Sequence, residues 1–310
     1  MRRIAALWHR LFLAERPSIS LSIFRWFVAL TVGCHMIPSF LQLRDNYLST
    51  AFKTQNASFF PLPILRLVAA GPDRCVFAMV GVFYIAWGCF TVGFWSQASC
   101  IMMTLACYYF YALNNLHIGT LSFDILLVTL FLMCLTPYHG DSCSLDAILR
   151  ERRLVSARMR PFFMQRLLQL QISGTYFYTA LHKVTAGGNW LTDNPLYYLV
   201  NSPPGGVVRE FWGRGWLAHQ PHLCYAIGII TLTMEFALAI LWFVPRARWA
   251  AILTGWMFHV LLLVTLHVPT IFFVLFPAQM ALFIPPESIA AWCARRRRTI
   301  KNPVARAPQG

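Results

Sequence analysis

The residues of this chain that are able to do chemistry stand in apolar company. In YFYTALHKVTAGGNW, residues 176–190, an apolar run closes on adjacent His182 and Lys183. Upstream, Gln165, Gln169, Ser173, Tyr176, Ala180 and Lys183 recur at intervals of three or four. At about 100° per residue, this spacing predicts a helix with one polar stripe that ends at Lys183, while His182 points away from it. A polar stripe on an apolar helix faces protein or a water-filled cavity rather than lipid. Two roles are open to Lys183. It is either an anchor whose ammonium snorkels to the interface, or a partly desolvated amine able to act as a general base.

Other candidates sit within or at the ends of apolar runs. His259 is in the middle of GWMFHVLLLVTLHV. An unpaired polar group at that depth costs on the order of several kcal/mol, so a partner is expected, whether structural or at a site. Glu235, in TLTMEFALAILWFVP, is expected to pair with Arg25 or His259, or to stay protonated. The turn NNLHIGT offers Asn114, Asn115 and His117, although Asn and Gly favour turns whatever their function. Asp124 follows closely enough to orient a histidine. The candidate catalytic residues are therefore Lys183, His117 and His259. Tyr176, Asn114, Asn115 and Trp190 are candidates for binding a cofactor. Arg25, Asp124 and Glu235 are read as structural or orienting. No metal is expected: the histidines lack ligand spacing, and the nine cysteines form no CxxC. P-loop, GxGxxG, GxSxG and HExxH signatures are absent.

The elements that must position these groups follow from composition. The 310 residues are 58% hydrophobic and only 12% charged, against about 25% charged in soluble domains. Apolar runs recur near 19–43, 74–95, 97–113, 119–138, 163–184, 221–244, 248–267 and 268–285. The expected fold class is all-α, a polytopic bundle of about eight membrane spans. Only Trp95, Ser96 and Gln97 interrupt the second and third runs, which predicts a tight hairpin; Pro269 splits the last two. With the N-terminus inside, eighteen basic residues fall on the inner side and seven on the outer, so both termini are expected in the cytoplasm. The expected organisation is a cytoplasmic segment 1–18, a membrane domain 19–285 and a basic cytoplasmic tail 286–310. Outer loops 44–73 and 185–220 would roof the Lys183 face. The net charge of +15 is spread over short segments that meet anionic lipid, not gathered in a compact basic domain, and nucleic acid is not an expected partner.

YFYTALHKVTAGGNW resembles the helix-ending motif of the vitamin K-dependent gamma-carboxylase membrane domain and its bacterial relatives, the HTTM (horizontally transferred transmembrane) family. SLSIFRW, NN-x-H, SLD at 144–146, EFALAILWFVP and FH at 258–259 follow in the same order, over about residues 15 to 285. The resemblance implies a quinone-dependent carboxylase or epoxidase-like lyase. In that chemistry a reduced quinone of the vitamin K or menaquinone type, with oxygen, generates a base that removes the γ-proton of a peptide glutamate, and carbon dioxide adds. It implies that Lys183 deprotonates the hydroquinone, that His117 stabilises the intermediate, and that His259 faces the same cavity. The carboxylase carries a large lumenal domain that is not expected here. The alternatives are a non-enzymatic maturation partner or scaffold for an exported peptide, and a lipid or small-molecule transporter. Membrane lipid and an exported peptide or protein are the expected partners. A bacterial inner membrane or its equivalent is the expected location.

Overall fold

The computed structural model describes residues 6, 8–51, 71–114, 118, 120–156, 158–185, 190–203, 207–267 and 270–301. His117, Asn115, most of the loop 44–73 and the AGG at 186–188 lie outside the described residues. The chain is mostly helical. Each of the eight apolar runs contains a helix: α1 (Ile19–Leu41), α2 (Asp73–Val92), α3 (Ser96–Leu113), α4 (Leu121–Cys134), then, after the short α5 (Leu145–Glu151), α6 (Phe163–Thr185), and, after α7 (Pro195–Val200), α8 (Pro221–Leu241), α9 (Arg248–Thr265) and α10 (Thr270–Met280). Among the described residues, α1, α2, α8 and α9 are long and apolar enough to cross a membrane. The segments Phe273–Phe283 and Pro286–Arg295 pass the same test when counted as one, which makes five. The glutamines and serine of the stripe dilute the hydropathy of α6, and α4 has only 14 residues. The segment read as a tail is helical over Pro286–Lys301 (α11).

The chain divides into two compact units, the first formed by Met1–Leu167 with Ile284–Gly310 and the second by Leu168–Phe283. In the first unit, α1 and α2 meet closely where Gly33 lies on Trp87. A Cβ on Gly33 would come within 2.8 Å of the indole, whose Nε1 donates to the Ala29 carbonyl at 2.8 Å. Further along, Phe40, Phe83, Phe110 and Tyr47 interlock with ring centroids 4.6–5.0 Å apart. Hydropathy gave no sign of a strand, yet β1 (Glu15–Pro17) pairs antiparallel with β2 (Met159–Pro161). This clip joins the segment before α1 to the segment before α6.

The α2–α3 hairpin is as tight as its spacing predicts. α2 stops at Gly93, whose φ of 71° suits glycine, and α3 starts after Trp95, itself left-handed at φ 45°. Asp146 fixes this turn: Oδ1 accepts from Trp95 N at 2.9 Å, and Oδ2 from Ser96 N at 2.8 Å and Ser96 Oγ at 2.7 Å. Ser144 caps α5 by accepting from Ala147 N at 3.0 Å. The SLD at 144–146 therefore caps two helices at once. Arg25, fully buried in α1, donates to the carbonyls of Phe90, of Thr91 at 2.8 Å and of Cys143 at 2.6 Å. The first two lie in the last turn of α2, at its negative end, where the Phe90 carbonyl also accepts from Gly93 N at 3.2 Å. His139 is fully buried edge-on to Phe90, with no hydrogen-bond partner among the described residues. Burial pushes its pKa down to about 3, with the Arg25 charge adding to the effect and Asp146 opposing it.

Two outcomes follow for this knot. A Cβ at Gly93 would lie 2.4 Å from Ser144 Cβ and 2.9 Å from Arg25 Cζ in a left-handed backbone. Gly93→Ala is expected to lower stability by more than about 1 kcal/mol, read as a drop in the unfolding midpoint in detergent. His139 stays neutral in the fold, while in the unfolded chain it protonates below about pH 6.5. The folded state then binds fewer protons, so stability falls as pH drops from about 6.5 toward 3, by up to about 1.4 kcal/mol per pH unit. A thermal series from pH 7.5 to 5 on wild type and His139→Phe should show the smaller acid loss in the variant.

Candidate functional site

The polar stripe of α6 points into the protein, and successive members bind different segments of the second unit. Gln169 Nε2 donates to the Leu282 carbonyl at 2.7 Å. Ser173 Oγ donates to the Ala239 carbonyl of α8. The Tyr176 hydroxyl meets His259 Nε2 of α9 at 2.5 Å, and Lys183 Nζ meets Glu235 Oε1 of α8 at 2.5 Å. Ala180 is fully buried between the last two. A helix whose polar groups repeat every three or four residues can make this sequence of ties only if that face is covered along its length.

Lys183 and Glu235 form the charged end of the site, with side chains 21% and 6% exposed. Trp190 closes over Lys183, its ring centroid 4.8 Å from Nζ, in a cation–π contact. The Trp190 N–H donates to the Lys183 carbonyl at 3.1 Å, and its ring packs 3.6 Å from where a Cβ on Gly228 of α8 would stand. The indole thus lies against α8 at Gly228, at a distance where a Cβ would make an ordinary van der Waals contact. The chain after Trp190 is pinned to the start of α8: Tyr225 Oη donates to the Leu191 carbonyl and Asn194 Nδ2 to the Pro221 carbonyl, both at 2.8 Å. Glu235 Oε2 is a buried acceptor with no donor among the described residues.

The uncharged end is aromatic. The His259 ring stacks on Phe276 at 5.1 Å and 15°, and Tyr176 stands edge-on to Trp242 at 4.8 Å. All four rings are buried. Seven residues on one helix separate Tyr176 from Lys183, about 10 Å.

The structure thus brings Lys183, Glu235 and Trp190 together, with Tyr176 and His259 joined two turns away. The expected partners of Glu235 need correcting. Arg25 belongs to the first unit, where backbone carbonyls hold its guanidinium, and the bond drawn for His259 Nε2 goes to Tyr176, so Lys183 is the partner of Glu235. Asn114 and Asp124 also belong to the first unit. Asn114 is fully buried and donates to the Asn46 carbonyl at 2.7 Å, while Asp124 hydrogen-bonds Tyr111. Sequence reasoning missed Arg214, which it counted as a loop charge. Arg214 is buried and donates to the carbonyls of Val200 at 3.0 Å, Val208 at 3.4 Å and Ser202, and to Glu210, so that the described loop folds around it. The Val208–Leu266 bridge then ties this loop to the end of α9. Among the described residues, no group of three or more His, Cys, Asp and Glu is placed to share a metal.

Removing one partner of a mostly buried ion pair leaves the other uncompensated. Lys183→Ala and Glu235→Gln are each expected to destabilise the protein. The double variant should recover part of the loss, with a coupling of about 1–3 kcal/mol in a double-mutant cycle of unfolding midpoints.

No curated protein and no solved structure matches the chain. The family model described as the HTTM domain matches residues 14–287, from β1 to the start of α11, and so takes in every helix of both units up to that point. With its apolar helices and the stripe that ends at Lys183, the chain is an integral membrane protein belonging to the HTTM domain family.

Proposed function

We propose that this protein is a membrane enzyme of the gamma-carboxylase-like kind, acting with a reduced quinone at the Lys183–Glu235 pair. The observation that carries the reading is that pair: one lysine and one carboxylate 2.5 Å apart, at the end of a buried polar stripe and under an indole. The residues suit a planar dihydroxy ring. Glu235 Oε2 is a buried acceptor in want of a hydroxyl donor, and Trp190 supplies an aromatic face. When bound, a reduced quinone supplies, with oxygen, the strong base that the family resemblance associates with carboxylation of peptide glutamate. The protein's own part is to manage protons. Lys183 Nζ and Glu235 Oε1 share a proton; its transfer to Oε1 leaves an amine lone pair able to accept another. Tyr176 Oη and His259 Nε2 hold a second proton away from water, fixed by Trp242 and Phe276.

The finer topology belongs to the same reading: eight spans with both termini cytoplasmic, in a bacterial inner membrane or its equivalent. Three observations support it. The β1–β2 pairing holds the starts of α1 and α6 on one side, which four intervening spans require. Arg16 also reaches Glu287 at 3.6 Å, so the start of α11 lies on that side too. The basic segments at 10–16, 150–166 and 295–301 then share one face, as the inner leaflet demands.

One observation favours the second reading, a maturation partner for an exported peptide. Tyr198, Trp212 and Trp216 stand exposed among the described residues around Arg214, a surface suited to holding a peptide. The two readings separate in one experiment. Purified protein in nanodiscs receives reduced vitamin K or menaquinone, oxygen and bicarbonate, and quinone epoxide is measured. The enzyme reading expects epoxide from wild type and a loss of about 100-fold or more in Lys183→Ala, the scale of removing a proton-transfer group. A folded wild type that makes no epoxide overturns it. The peptide reading expects Lys183→Ala to be tolerated and Trp212→Ala with Trp216→Ala to abolish peptide capture.

A further inference from the structure

Trp95 separates two cavities in the first unit. On one side is a bowl of about 350 Å³, lined by Ser96, Gly140, Asp146 and Arg150 among others. On the other, an apolar groove of about 400 Å³ lies between α2 and α3, along Ile85, Ala86, Cys89 and Met102. Trp95 and Ala98 line both. The indole is 71% exposed and stacks on Phe94 at 5.5 Å. Its backbone is held at φ 45° by the hydrogen bond to Asp146, a conformation that costs a residue with a Cβ about 1 kcal/mol or more. The hairpin thus presents a tryptophan at the end of two apolar helices, the depth at which an indole bridges headgroup and hydrocarbon.

Charge decides what the bowl takes. The Asp146 carboxylate already accepts from three donors. Asp141 is held by Arg160 through contacts of 2.7 and 3.3 Å, so Arg150, at 3.3 Å, is a second cation on a carboxylate already paired. The Arg150 side chain is 46% exposed, and Arg152 and Arg153 are exposed just beyond it. Positive charge therefore lies at the bowl, which meets the apolar groove at Trp95 and Ala98. The geometry points to a seat for one anionic phospholipid, its phosphate at Arg150 and an acyl chain in the α2–α3 groove, with Trp95 at the boundary between them. This site is independent of the quinone reading and shares no residue with it.

Native mass spectrometry of the purified full-length chain tests it. The protein is stripped of lipid and given equal amounts of phosphatidylglycerol and phosphatidylcholine with the same acyl chains. Wild type is expected to retain the anionic lipid about fivefold more than the zwitterionic one, whose choline cancels the phosphate charge; that is the scale of one basic side chain facing a net-negative headgroup. Arg150→Gln should abolish that preference, Arg150→Lys should keep it, and Ala98→Trp, which puts an indole where the two cavities meet, should lower retention of both lipids. Arg160 still pairs Asp141 in Arg150→Gln, so its melting temperature should stay near that of wild type. Should it fail to fold, the other two variants decide. Equal retention of the two lipids by wild type, a preference that survives in folded Arg150→Gln, or unchanged retention in Ala98→Trp overturns the proposal.

Discussion

The guanidinium of Arg25 lies fully buried in an apolar helix, and a charge there has to be satisfied by the protein itself. It is met by backbone carbonyls: two at the end of α2 and one from Cys143. Because α2 ends on this arginine, Gly93 has to turn at once, and the turn leaves amides at the start of α3 for Asp146 to cap. The same clustering leaves His139 buried beside a cation and therefore neutral. A single buried charge thus sets the hairpin, the cap and the short helix α5 that carries it.

The second unit meets the same constraint in two ways. Arg214 is buried and held chiefly by backbone carbonyls, as Arg25 is, whereas the mostly buried Lys183 is met by a carboxylate from another helix, and a side-chain partner can change its protonation where a carbonyl cannot. That contrast makes Arg25 and Arg214 fastenings and Lys183 a candidate for chemistry. The neighbouring tyrosine and histidine extend the point, since each can both donate and accept a proton.

Much of the fold was legible along the chain. All eight apolar runs became helices, and the three-residue gap at 95–97 became a tight hairpin. The stripe from Gln169 to Lys183 was read correctly as a face turned to protein, because helical periodicity is a local property. The family resemblance, drawn from short ordered motifs, agrees with the HTTM match over residues 14–287. What failed was partner choice. Glu235 was expected to pair with Arg25 or His259 or to stay protonated, and nothing in its local sequence names Lys183, 52 residues away. Arg214 was passed over for the same reason: a buried arginine in a loop is written like an exposed one until the carbonyls around it are known.

Hydropathy, charge asymmetry and helical spacing are one-dimensional quantities, and they determined by themselves that this is a helical membrane protein with a polar stripe ending at Lys183. Which groups meet across helices depends on how the helices pack. Only the tertiary structure placed Glu235 and Trp190 on that lysine, Tyr176 on His259, and Asp146 on the α2–α3 turn. The strand clip between Glu15–Pro17 and Met159–Pro161 belongs with these, since backbone pairing between distant segments leaves no periodic trace in either one.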